Sequence, residues 1–489
     1  MVKGHLSKSN FMAGLQCPKK LYLAIHRTDS LGESAPQMQF INGNEVGSLS
    51  RTFMDGTLIS MDNGPLQAIE DTKKAIADTN VNVIYEASFK YGEVFIRADI
   101  LERGNQGWFL TEVKSSTECK DQHIPDVAIQ TWVIKMCGVE LEGEYLQFIN
   151  NEFMYQGDGN FMGLFAWQDI TASVSGIIED MAGKKDLFIR MLDGDLPQIK
   201  MGSQCKKPYK CDYIDYCKQS GPKYPVSILP NGWRAAQKLQ DQGIDDVRDI
   251  PNGFLTSEKQ KRVREVTISG KPHLDPEATS ILKKLGWPRY YLDFETIGFA
   301  VPHWKKTRPY MQVPFQWSCH IYHKNDHSDH KEFLDITGND PRREFAESLI
   351  ACCGDEGPII VYNESFEKSR IRELAEAFPD LSDELLALNA RVFDLLKIMQ
   401  KHYYHPSMMG SWSIKSVLPA LVPELTYSTL VGSVHDGSEA QVAYYDAISS
   451  DADLRVRQKI SSSLLEYCKL DTLAMVKIAD ALHNYQSGH

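Results

Sequence analysis

The spacing of apolar and polar residues changes along the chain, and it predicts first helices and then strands. Residues 9–26 carry apolar side chains at helical spacing, and Pro18 predicts a break between two helical segments. Further on, the spacing changes to a period of two in the segments 83–89, 94–101 and 108–113, which polar turns containing glycine separate. This alternation predicts an antiparallel meander of three strands.

From residue 290 the pattern mixes strands and helices. Three apolar stretches predict antiparallel strands, and helices then alternate with short buried strands before a long last helix. The predicted elements are the strands 290–294, 315–322, 333–336, 358–362 and 392–394 and the helices 342–352, 366–378 and 461–485. This order indicates a protein of the α/β class.

The chain has 489 residues, more than the roughly 100–200 residues of a typical single core, so several domains are expected. We predict one domain at 1–220, a small helical linker at 221–287 and another domain at 288–489. Gly-Pro and Pro-Asn-Gly sequences separate the short helices of the linker, and its segment 239–244 is similar to one half of a helix-hairpin-helix.

Composition limits the classes of function. Hydrophobic residues make up 42% of the chain, and no apolar run reaches the roughly 18 residues of a membrane span. The first residues lack the apolar core of a signal peptide, so a cytoplasmic location without a membrane partner is expected. The net charge of −12 argues against a polybasic coat for nucleic acid but leaves room for local basic grooves. In a cytoplasmic protein the ten cysteines are expected to be reduced thiols or metal ligands.

Two carboxylates end the first strand of the last predicted domain. Asp293 and Glu295 point to one side of this strand while Phe294 points to the other, because strand side chains alternate. Two neighbouring carboxylates repel each other unless a divalent cation lies between them, so the pair predicts a metal site. The alternative is an edge strand whose acids face water.

A second polar group lies on the predicted meander. Asp99 interrupts the middle strand, and Glu112 and Lys114 share one face at the end of the third. The two acids can hold Mg²⁺ while the ammonium group stabilises charge on a phosphate. The alternative is a cross-strand ion pair on a solvated face.

The residues around this second group resemble a nuclease family. Arg-Ala-Asp-Ile-Leu at 97–101 and Thr-Glu-Val-Lys-Ser-Ser at 111–116 are similar to the D…E-x-K core of the RecB-like branch of the PD-(D/E)xK nucleases. That branch has a glutamine on the following helix, which Gln130 matches, and an acidic or histidine ligand on an early helix. For the early ligand Glu45 is the nearest candidate and Glu86 a second one.

The resemblance covers roughly residues 8–220 and implies a restriction-endonuclease-like fold. It also implies that Asp99 and Glu112, with Glu45, bind Mg²⁺ or Mn²⁺, and that Lys114 lies beside the attacked phosphate.

Three cysteines follow this segment at equal spacing. Cys205, Cys211 and Cys217 lie among polar and basic residues, where thiols are more typical of metal ligands than of core packing. Cys17 can supply a fourth ligand. RecB-like nucleases with an iron–sulfur cluster, including those of CRISPR adaptation, likewise place one cysteine before the core and three after it. The resemblance therefore implies a [4Fe–4S] cluster, with Zn²⁺ as the alternative for a four-cysteine set.

The last predicted domain resembles a second nuclease family. Its strand and helix order, with Asp293 and Glu295 as D-x-E, is similar to the RNase H-like, DnaQ-like 3′–5′ exonucleases, also called the DEDD family. Tyr467 and Asp471 match the Y-x3-D motif of that family on the last helix, where the i, i+4 spacing stacks them on one face. Where the family has N-x2-F-D, this chain has Asn-Glu-Ser-Phe-Glu, so Glu367 replaces the aspartate.

Two further features belong to this comparison. The sequence Ser-Ile-Lys-Ser-Val-Leu at 413–418 resembles the S-L-K helix of the family. Asp394 is interpreted as a capping acid or a supporting acid rather than as a metal ligand.

The two resemblances together imply a metal-dependent nuclease with two active sites that acts on single-stranded DNA or DNA ends in repair, recombination or defence. Four acids in the last domain would bind two Mg²⁺ or Mn²⁺ ions, and Tyr467 would orient the attacking water. Two alternatives remain: a protein that binds nucleic-acid ends and has one inactive nuclease domain, and an exoribonuclease. The sequence identifies no protein partner.

Overall fold

The computed structural model describes residues 6–27, 38–219, 221–324, 327–425, 427, 434–449 and 452–484. The chain divides into two compact units. Unit 1 contains Met1–Ser220 and Phe299–Tyr310, and unit 2 contains Gly221–Gly298 and Met311–His489.

Unit 1 combines a mixed sheet with eight helices in its described part. The strands are β1 (Leu6–Ser7), β2 (Thr57–Leu58), β3 (Val83–Tyr91), β4 (Val94–Arg103), β5 (Trp108–Val113), β6 (Leu141–Ile149) and β7 (Phe165–Asp169). The helices are α1 (Lys8–Gln16), α2 (Pro18–His26), α3 (Met38–Ser50), α4 (Pro65–Ala77), α5 (His123–Met136), α6 (Thr171–Ser175), α7 (Asp180–Leu192) and α8 (Ile214–Lys218).

The predicted meander forms the centre of the sheet of unit 1. Strands β3, β4 and β5 pair antiparallel, which confirms the prediction from the alternating pattern. The sheet continues with β6, parallel to β5, and with β7, antiparallel to β6. Apolar side chains of β3, β4 and β5 pack against helices of unit 1. Leu110 of β5 is buried there with Phe11 of α1, Val133 of α5 and Phe188 of α7. The strands β4 and β5 are therefore held in place by a packed hydrophobic core.

The predicted break at Pro18 is confirmed. Helix α1 ends at Gln16, Cys17 adopts an extended conformation, and Pro18 is the first residue of α2. Proline is well suited to this first helical position, because its missing N–H would have no partner within the helix.

Unit 2 has a five-stranded sheet and a small two-stranded one. The strands are β8 (His273–Leu274), β9 (Arg289–Ile297), β10 (Val313–Tyr322), β11 (Ser328–Leu334), β12 (Ile359–Val361), β13 (Val392–Asp394) and β14 (Tyr403–Tyr404). The helices are α9 (Trp233–Asp241), α10 (Glu258–Ser269), α11 (Glu277–Lys283), α12 (Arg342–Cys353), α13 (Glu364–Ala377), α14 (Ser382–Ala390), α15 (Leu395–His402), α16 (Ile414–Leu421), α17 (Gly437–Ile448) and α18 (Leu454–Asn484).

The large sheet of unit 2 has the strand order β11-β10-β9-β12-β13. Strands β9, β10 and β11 are antiparallel, whereas β12 and β13 run parallel to β9 and to each other, as the sequence predicts. Strand β9 lies at the centre, and its Phe294 contacts Phe345 of α12 with ring centroids 5.0 Å apart. Both units are thus α/β structures, and β9 is anchored on both edges.

The segment 221–287, predicted as a linker, lies within unit 2. Its apolar residues Val226, Leu239 and Val263 share one hydrophobic core with Tyr404 and Trp412. One of its elements also pairs with a later one, because β8 forms a two-stranded sheet with β14.

The chain between β9 and β10 belongs to unit 1. Ala300 and Val301 are buried there in a small hydrophobic cluster with Val46. The backbone N–H of Ala300 donates to the Asn42 side chain at 2.9 Å, and the hydroxyl of Tyr310 donates to the carbonyl oxygen of a residue that follows β5. The strand that carries Asp293 and Glu295 is therefore continuous with a piece of the core of unit 1.

No helix among the described residues has both the length and the apolar character needed to span a membrane.

Candidate functional site

The carboxylate site of unit 2 is built on the central strand. Asp293 and Glu295 occupy alternate positions of β9, opposite Ser318 and Gln316 of β10. Both side chains therefore leave the sheet on the same face, as the D-x-E pattern predicts. Glu295 is only 8% exposed, so these acids are not on a solvated edge strand.

Two helices bring the other two acids to the same place. Glu367 lies in the first turn of α13 and is 2% exposed, and Asp471 lies in α18 and is 6% exposed. A cavity of about 230 Å³ is lined by all four acids: Asp293, Glu295, Glu367 and Asp471. Residues separated by up to 178 positions thus line one cavity, and the sequence motifs predict that these four acids lie together.

The four acids favour the protonated form because they lie close to one another in a site where three of them are buried and Asp293 is half-buried. Burial and the charge of Asp471 raise the pKa of Asp293 well above its ordinary value, and burial with the charge of Asp293 does the same for Glu295 and Glu367. Burial also raises the pKa of Asp471. Glu367 Oε2 has no hydrogen-bond partner among the described residues. A bound cation would therefore stabilise the ionised form of these acids.

Two tyrosines hold Asp471 in place. The hydroxyl of Tyr427 donates to Asp471 Oδ1, and Tyr467, one helical turn before Asp471, also hydrogen-bonds to this acid. Burial and the charge of Asp471 raise the pKa of Tyr467, so its hydroxyl keeps its proton at neutral pH. Tyr467 is therefore a hydrogen-bond donor to Asp471.

Lys415 lies at the rim of the cavity. Its Nζ lies 5.2 Å from the ring centroid of Tyr467 and 5.3 Å from that of Tyr427, distances typical of a cation–π contact. It donates to the carbonyl oxygen of His435 at 2.6 Å. Lys415 belongs to the 413–418 sequence singled out by resemblance, but its place beside the acids could not be read from that sequence.

Asp394 is a helix-capping acid, as the sequence predicts. It ends β13 and caps α15 by accepting from the backbone N–H of Leu396 at 2.9 Å. It also accepts from the backbone N–H of Asn363 at 3.1 Å, which fixes the turn that begins α13. Asn363 has a φ of 91°, so this bond stabilises a left-handed backbone directly before the helix of Glu367.

The polar site of unit 1 is centred on Glu112. This side chain is 1% exposed and its two oxygens have different partners. Oε1 accepts from Lys114 at 2.6 Å and from Lys8 at 2.8 Å, and Oε2 accepts from Gln130 at 2.7 Å. The structure therefore brings the predicted Lys114 and Gln130 to the predicted acid.

Asp99 and Asp126 complete this group. Asp99 accepts from the backbone N–H of Val113 at 2.7 Å, and Asp126 accepts from Lys114 at 2.5 Å. Burial, together with the charge of Glu112, raises the pKa of Asp99. For Glu112 burial acts in the same direction, but the charges of Lys114 and Lys8 outweigh it and lower the pKa. The unit 1 site thus already contains two cations among three acids.

The two early acids named as candidate ligands have partners of their own. Glu45 lies 3.0 Å from Nε2 of His303, and its Oε2 is buried without a hydrogen-bond partner among the described residues. Glu86 forms ion pairs with Arg51 and Arg97, each at 3.1 Å. Neither contact tests a ligand role directly.

The four cysteines of the predicted cluster line one cavity. Cys17 comes from the junction of α1 and α2, and Cys205, Cys211 and Cys217 come from the end of unit 1. Lys19, Lys20 and Lys200 line the same cavity. Burial raises the pKa of Cys211 and of Cys217.

Several site residues were not found from the sequence. Lys8 and Asp126 belong to no motif, and Cys468, whose Sγ lies 4.0 Å from Asp293 Oδ2, resembles an ordinary core residue of α18. Tyr427 also lies outside any recognised pattern. Only the fold brings these side chains to the acids.

Comparisons with known proteins match parts of the chain. A family model described as "Domain of unknown function (DUF2779)" matches residues 290–413, a segment that contains Asp293, Glu295 and Glu367. Over 219 residues the chain is 28% identical to "Uncharacterized protein MG366 homolog" of Mycoplasma pneumoniae, which covers 41% of this chain and 32% of that protein. Over 214 residues it is 26% identical to "Uncharacterized protein MG366" of Mycoplasma genitalium, covering 40% and 32% respectively.

The chain therefore spans about a third of the length of the curated relatives it matches. A solved structure described as "Crystal structure of SSO0001" is similar with a TM-score of 0.19 and 14% identity, over 43% of this chain and 84% of that one.

Proposed function

We propose that this protein is a metal-dependent nuclease whose main hydrolytic site is the carboxylate cavity of unit 2. The observation that carries the proposal is the meeting of four acids, three of them buried and all with raised pKa, around one cavity of about 230 Å³. Gathering four carboxylates in a buried site is costly unless cations neutralise them. The chain's own cation at the rim, Lys415, donates to a backbone carbonyl and not to an acid.

The donor set fits hard divalent ions. Carboxylate oxygens are preferred ligands of Mg²⁺ and Mn²⁺, and Glu367 Oε2 is an acceptor without a partner among the described residues. Asp293, Glu295, Glu367 and Asp471 would hold the ions. Two such ions, when bound, supply an activated water and stabilise the leaving oxygen of a phosphodiester.

The chain's own residues prepare the substrate. The protonated hydroxyl of Tyr467 can donate to the water or to a phosphate oxygen, and its bond to Asp471 fixes its direction. The ammonium group of Lys415 can contact a phosphate at the rim of the cavity. Tyr362 and Phe366 also line the cavity and offer aromatic surface to a terminal base.

The strand order supports an exonuclease of the RNase H-like kind. Three antiparallel strands continue into two parallel ones, with the D-x-E pair on the central strand and the Y-x3-D pair on the last helix. This agreement with the DnaQ-like motifs is the reason for expecting cleavage from the 3′ end of single-stranded DNA.

The unit 1 site is proposed as a second, weaker nuclease centre. Lys8 and Lys114 occupy one oxygen of Glu112, so a metal ion there would share Glu112 with two ammonium groups. Asp99 and Glu112 would bind a single ion, and Lys114 would face the phosphate. Because two lysines already neutralise part of its acidic charge, this site is expected to bind a metal ion more weakly than the unit 2 cavity.

The cysteine cavity is proposed to hold an iron–sulfur cluster. Four thiols surround one space, and three lysines on its wall complement the negative charge of a cluster bound by thiolates. Tetrahedral Zn²⁺ would place the sulfur atoms about 4 Å apart. Among the described residues, the groups with ligand atoms within 4.8 Å of one another do not include these four cysteines. Their wider spacing favours the larger cofactor.

The test is cleavage of single-stranded DNA labelled at its 5′ or 3′ end, in Mg²⁺ or Mn²⁺, by full-length protein purified without oxygen. The variants are Asp293→Asn and Lys114→Ala, with Asp380→Asn as the matched control. Asp380 forms a surface ion pair with Arg343, so its substitution changes charge without touching either site.

Ladders that start at the 3′ end and disappear only in Asp293→Asn are expected. Cuts that persist in Asp293→Asn and disappear with Lys114→Ala would assign activity to unit 1. Wild-type protein that leaves both DNA and matched RNA intact in either metal would overturn the nuclease proposal and leave a protein that binds nucleic-acid ends. Preferential cleavage of RNA would replace the deoxyribonuclease with an exoribonuclease.

A further inference from the structure

A second group of cysteines lies inside unit 2, away from the lining of the carboxylate cavity. Cys319 is on β10, and Cys352 and Cys353 end α12. The Sγ atoms of the three residues all lie within 4.8 Å of one another. Cys319 and Cys353 are fully buried and Cys352 is 7% exposed.

Basic side chains act electrostatically on two of these thiols. Lys331, the residue opposite Cys319 in the β10–β11 ladder, and His330 act electrostatically on Cys352. Arg391 acts on Cys353 and donates to its carbonyl oxygen at 3.1 Å. Hydrogen bonds from Cys319 and Cys353 are the main cause that lowers the pKa of Cys352. Burial raises the pKa of Cys319, and the hydrogen bond to Cys352 together with burial raises that of Cys353. Cys352 is therefore the thiol of this group that most favours the anionic form, which is the form that binds metals.

We propose that Cys319, Cys352 and Cys353 form a three-thiolate site for one soft, thiophilic metal ion of the Zn²⁺ or Cu⁺ kind. A metal–sulfur bond of about 2.3 Å places three equatorial sulfur atoms about 4 Å apart, which the observed grouping accommodates. Binding releases the remaining thiol protons to solvent and breaks no other bond. The site is independent of the proposed nuclease function.

The geometry favours a metal over a disulfide. A disulfide joins two sulfur atoms at about 2.05 Å and would leave the third thiol beside it without a partner. Here the three Sγ atoms, carried by a strand and a helix end, all lie within 4.8 Å of one another.

The consequence for the fold is a link between β10 and α12. Cys319 lies directly opposite Leu292, which precedes Asp293 on β9. A metal held by Cys319 and the two helix cysteines would therefore brace the central strand of the unit from the side opposite the carboxylates, and its binding energy would add to the stability of unit 2.

The test uses full-length protein and Cd²⁺ as the probe, because thiolate–Cd²⁺ bonds absorb in the ultraviolet. Wild type, Cys352→Ala and the control Cys137→Ala are titrated after removal of metals under anaerobic conditions. Cys137 is an exposed cysteine of unit 1 that lies in neither cysteine group. We expect Cys352→Ala to bind one equivalent of Cd²⁺ less than wild type, and Cys137→Ala to match wild type.

A measurement on the unaltered chain covers the case in which Cys352→Ala fails to fold. Alkylation of the native protein with iodoacetamide, followed by mass spectrometry, is compared with and without Zn²⁺. Zn²⁺ should slow the alkylation of Cys352 at least about tenfold and leave that of Cys137 unchanged. Equal alkylation rates with and without Zn²⁺, an unchanged Cd²⁺ stoichiometry in a folded Cys352→Ala variant, or a Cys319–Cys352 disulfide in the purified protein would each overturn the proposal.

Discussion

Lys8 Nζ lies 2.8 Å from Oε1 of Glu112, although 104 residues separate them along the chain. Lys8 is the first residue of α1, and Glu112 is the last but one of β5. Glu112 is almost fully buried, so its charge depends on this lysine and on Lys114, which reaches the same oxygen. The charge balance of the unit 1 site therefore depends on the fold, which brings Lys8 to Glu112.

Replacing Lys8 is expected to destabilise the metal-free protein. Lys8→Met leaves Glu112 buried with one cation fewer, which should lower the free energy of unfolding by about 1–3 kcal/mol. The measurement is urea unfolding in EDTA, with Lys73→Met as the control, because Lys73 pairs with Glu70 on the surface. Mg²⁺ should restore part of the loss; equal stability of the two variants would contradict the interpretation.

Glu367 is predicted to be required for cleavage. Glu367→Gln keeps the size of the side chain but removes its charge, so the rate of cleavage should fall at least about 100-fold. Glu367→Asp keeps the charge and should retain the larger part of the activity. In EDTA the glutamine variant should be the more stable protein, because the buried acid no longer has to stay protonated. A glutamine variant with wild-type activity would exclude Glu367 from the site.

The stability of the metal-free protein is predicted to fall as the pH rises above about 4. Asp293, Glu295, Glu367 and Asp471 all have raised pKa values in the folded state. Above their ordinary pKa values the folded protein therefore holds protons that the unfolded chain has released. Stability then decreases with pH, by up to about 1.4 kcal/mol per pH unit for each acid still protonated.

Thermal unfolding between about pH 5 and pH 8 measures this slope. In EDTA the melting temperature should drop across the range, and saturating Mn²⁺ should flatten the curve because it stabilises the ionised carboxylates. Glu295→Gln should reduce the slope in EDTA, whereas Asp380→Asn should leave it unchanged. A flat curve in EDTA would mean that these acids are ionised without metal.

Cys211 is predicted to be needed for the cofactor of unit 1. Cys211→Ser should abolish the visible absorbance of anaerobically purified protein and lower its melting temperature, because cluster binding contributes free energy of folding. Cys137→Ser makes the same chemical change at an exposed cysteine and should preserve both properties. Colourless wild-type protein that contains zinc would replace the iron–sulfur cluster with the alternative ion.

Gly410 is predicted to tolerate no side chain. Its φ is +75°, and a Cβ there would overlap the carbonyl oxygen of Ile228. Gly410→Ala should therefore cost more than the roughly 1 kcal/mol of a left-handed backbone alone. Chemical unfolding measures the loss, and Gly243→Ala is the control, since Gly243 has a similar φ but open space around it.

The sequence predicts the strands and acids well because both follow from local patterns. The alternation between residues 83 and 113 needs only its neighbours to become a meander, and Asp293 and Glu295 share a face wherever the strand lies. The cysteine spacing likewise identifies Cys205, Cys211 and Cys217 as one group, and the family resemblance adds Cys17, which lines the same cavity.

The parts that escaped prediction depend on long-range packing. Lys8 reaches Glu112 only because α1 packs against the sheet, and Tyr427 meets Asp471 from a segment without regular pattern. The strands β6 and β7 were missed because their alternation is interrupted by charged residues such as Glu144. The composition of segment 221–287 is typical of a linker. Its place in unit 2 was not predicted because its short helices bury their apolar faces against residues far along the chain.

The assignment of Phe299–Tyr310 to unit 1 has a consequence for the order of events during synthesis. Chains emerge from the ribosome with the amino end first, and a domain made of one continuous segment can fold before the next is complete. Unit 1 lacks this option, because Ala300 and Val301, which fill its cluster around Val46, are translated after the whole of β9. The cluster around Val46 therefore cannot be completed until the strand that bears Asp293 has left the ribosome.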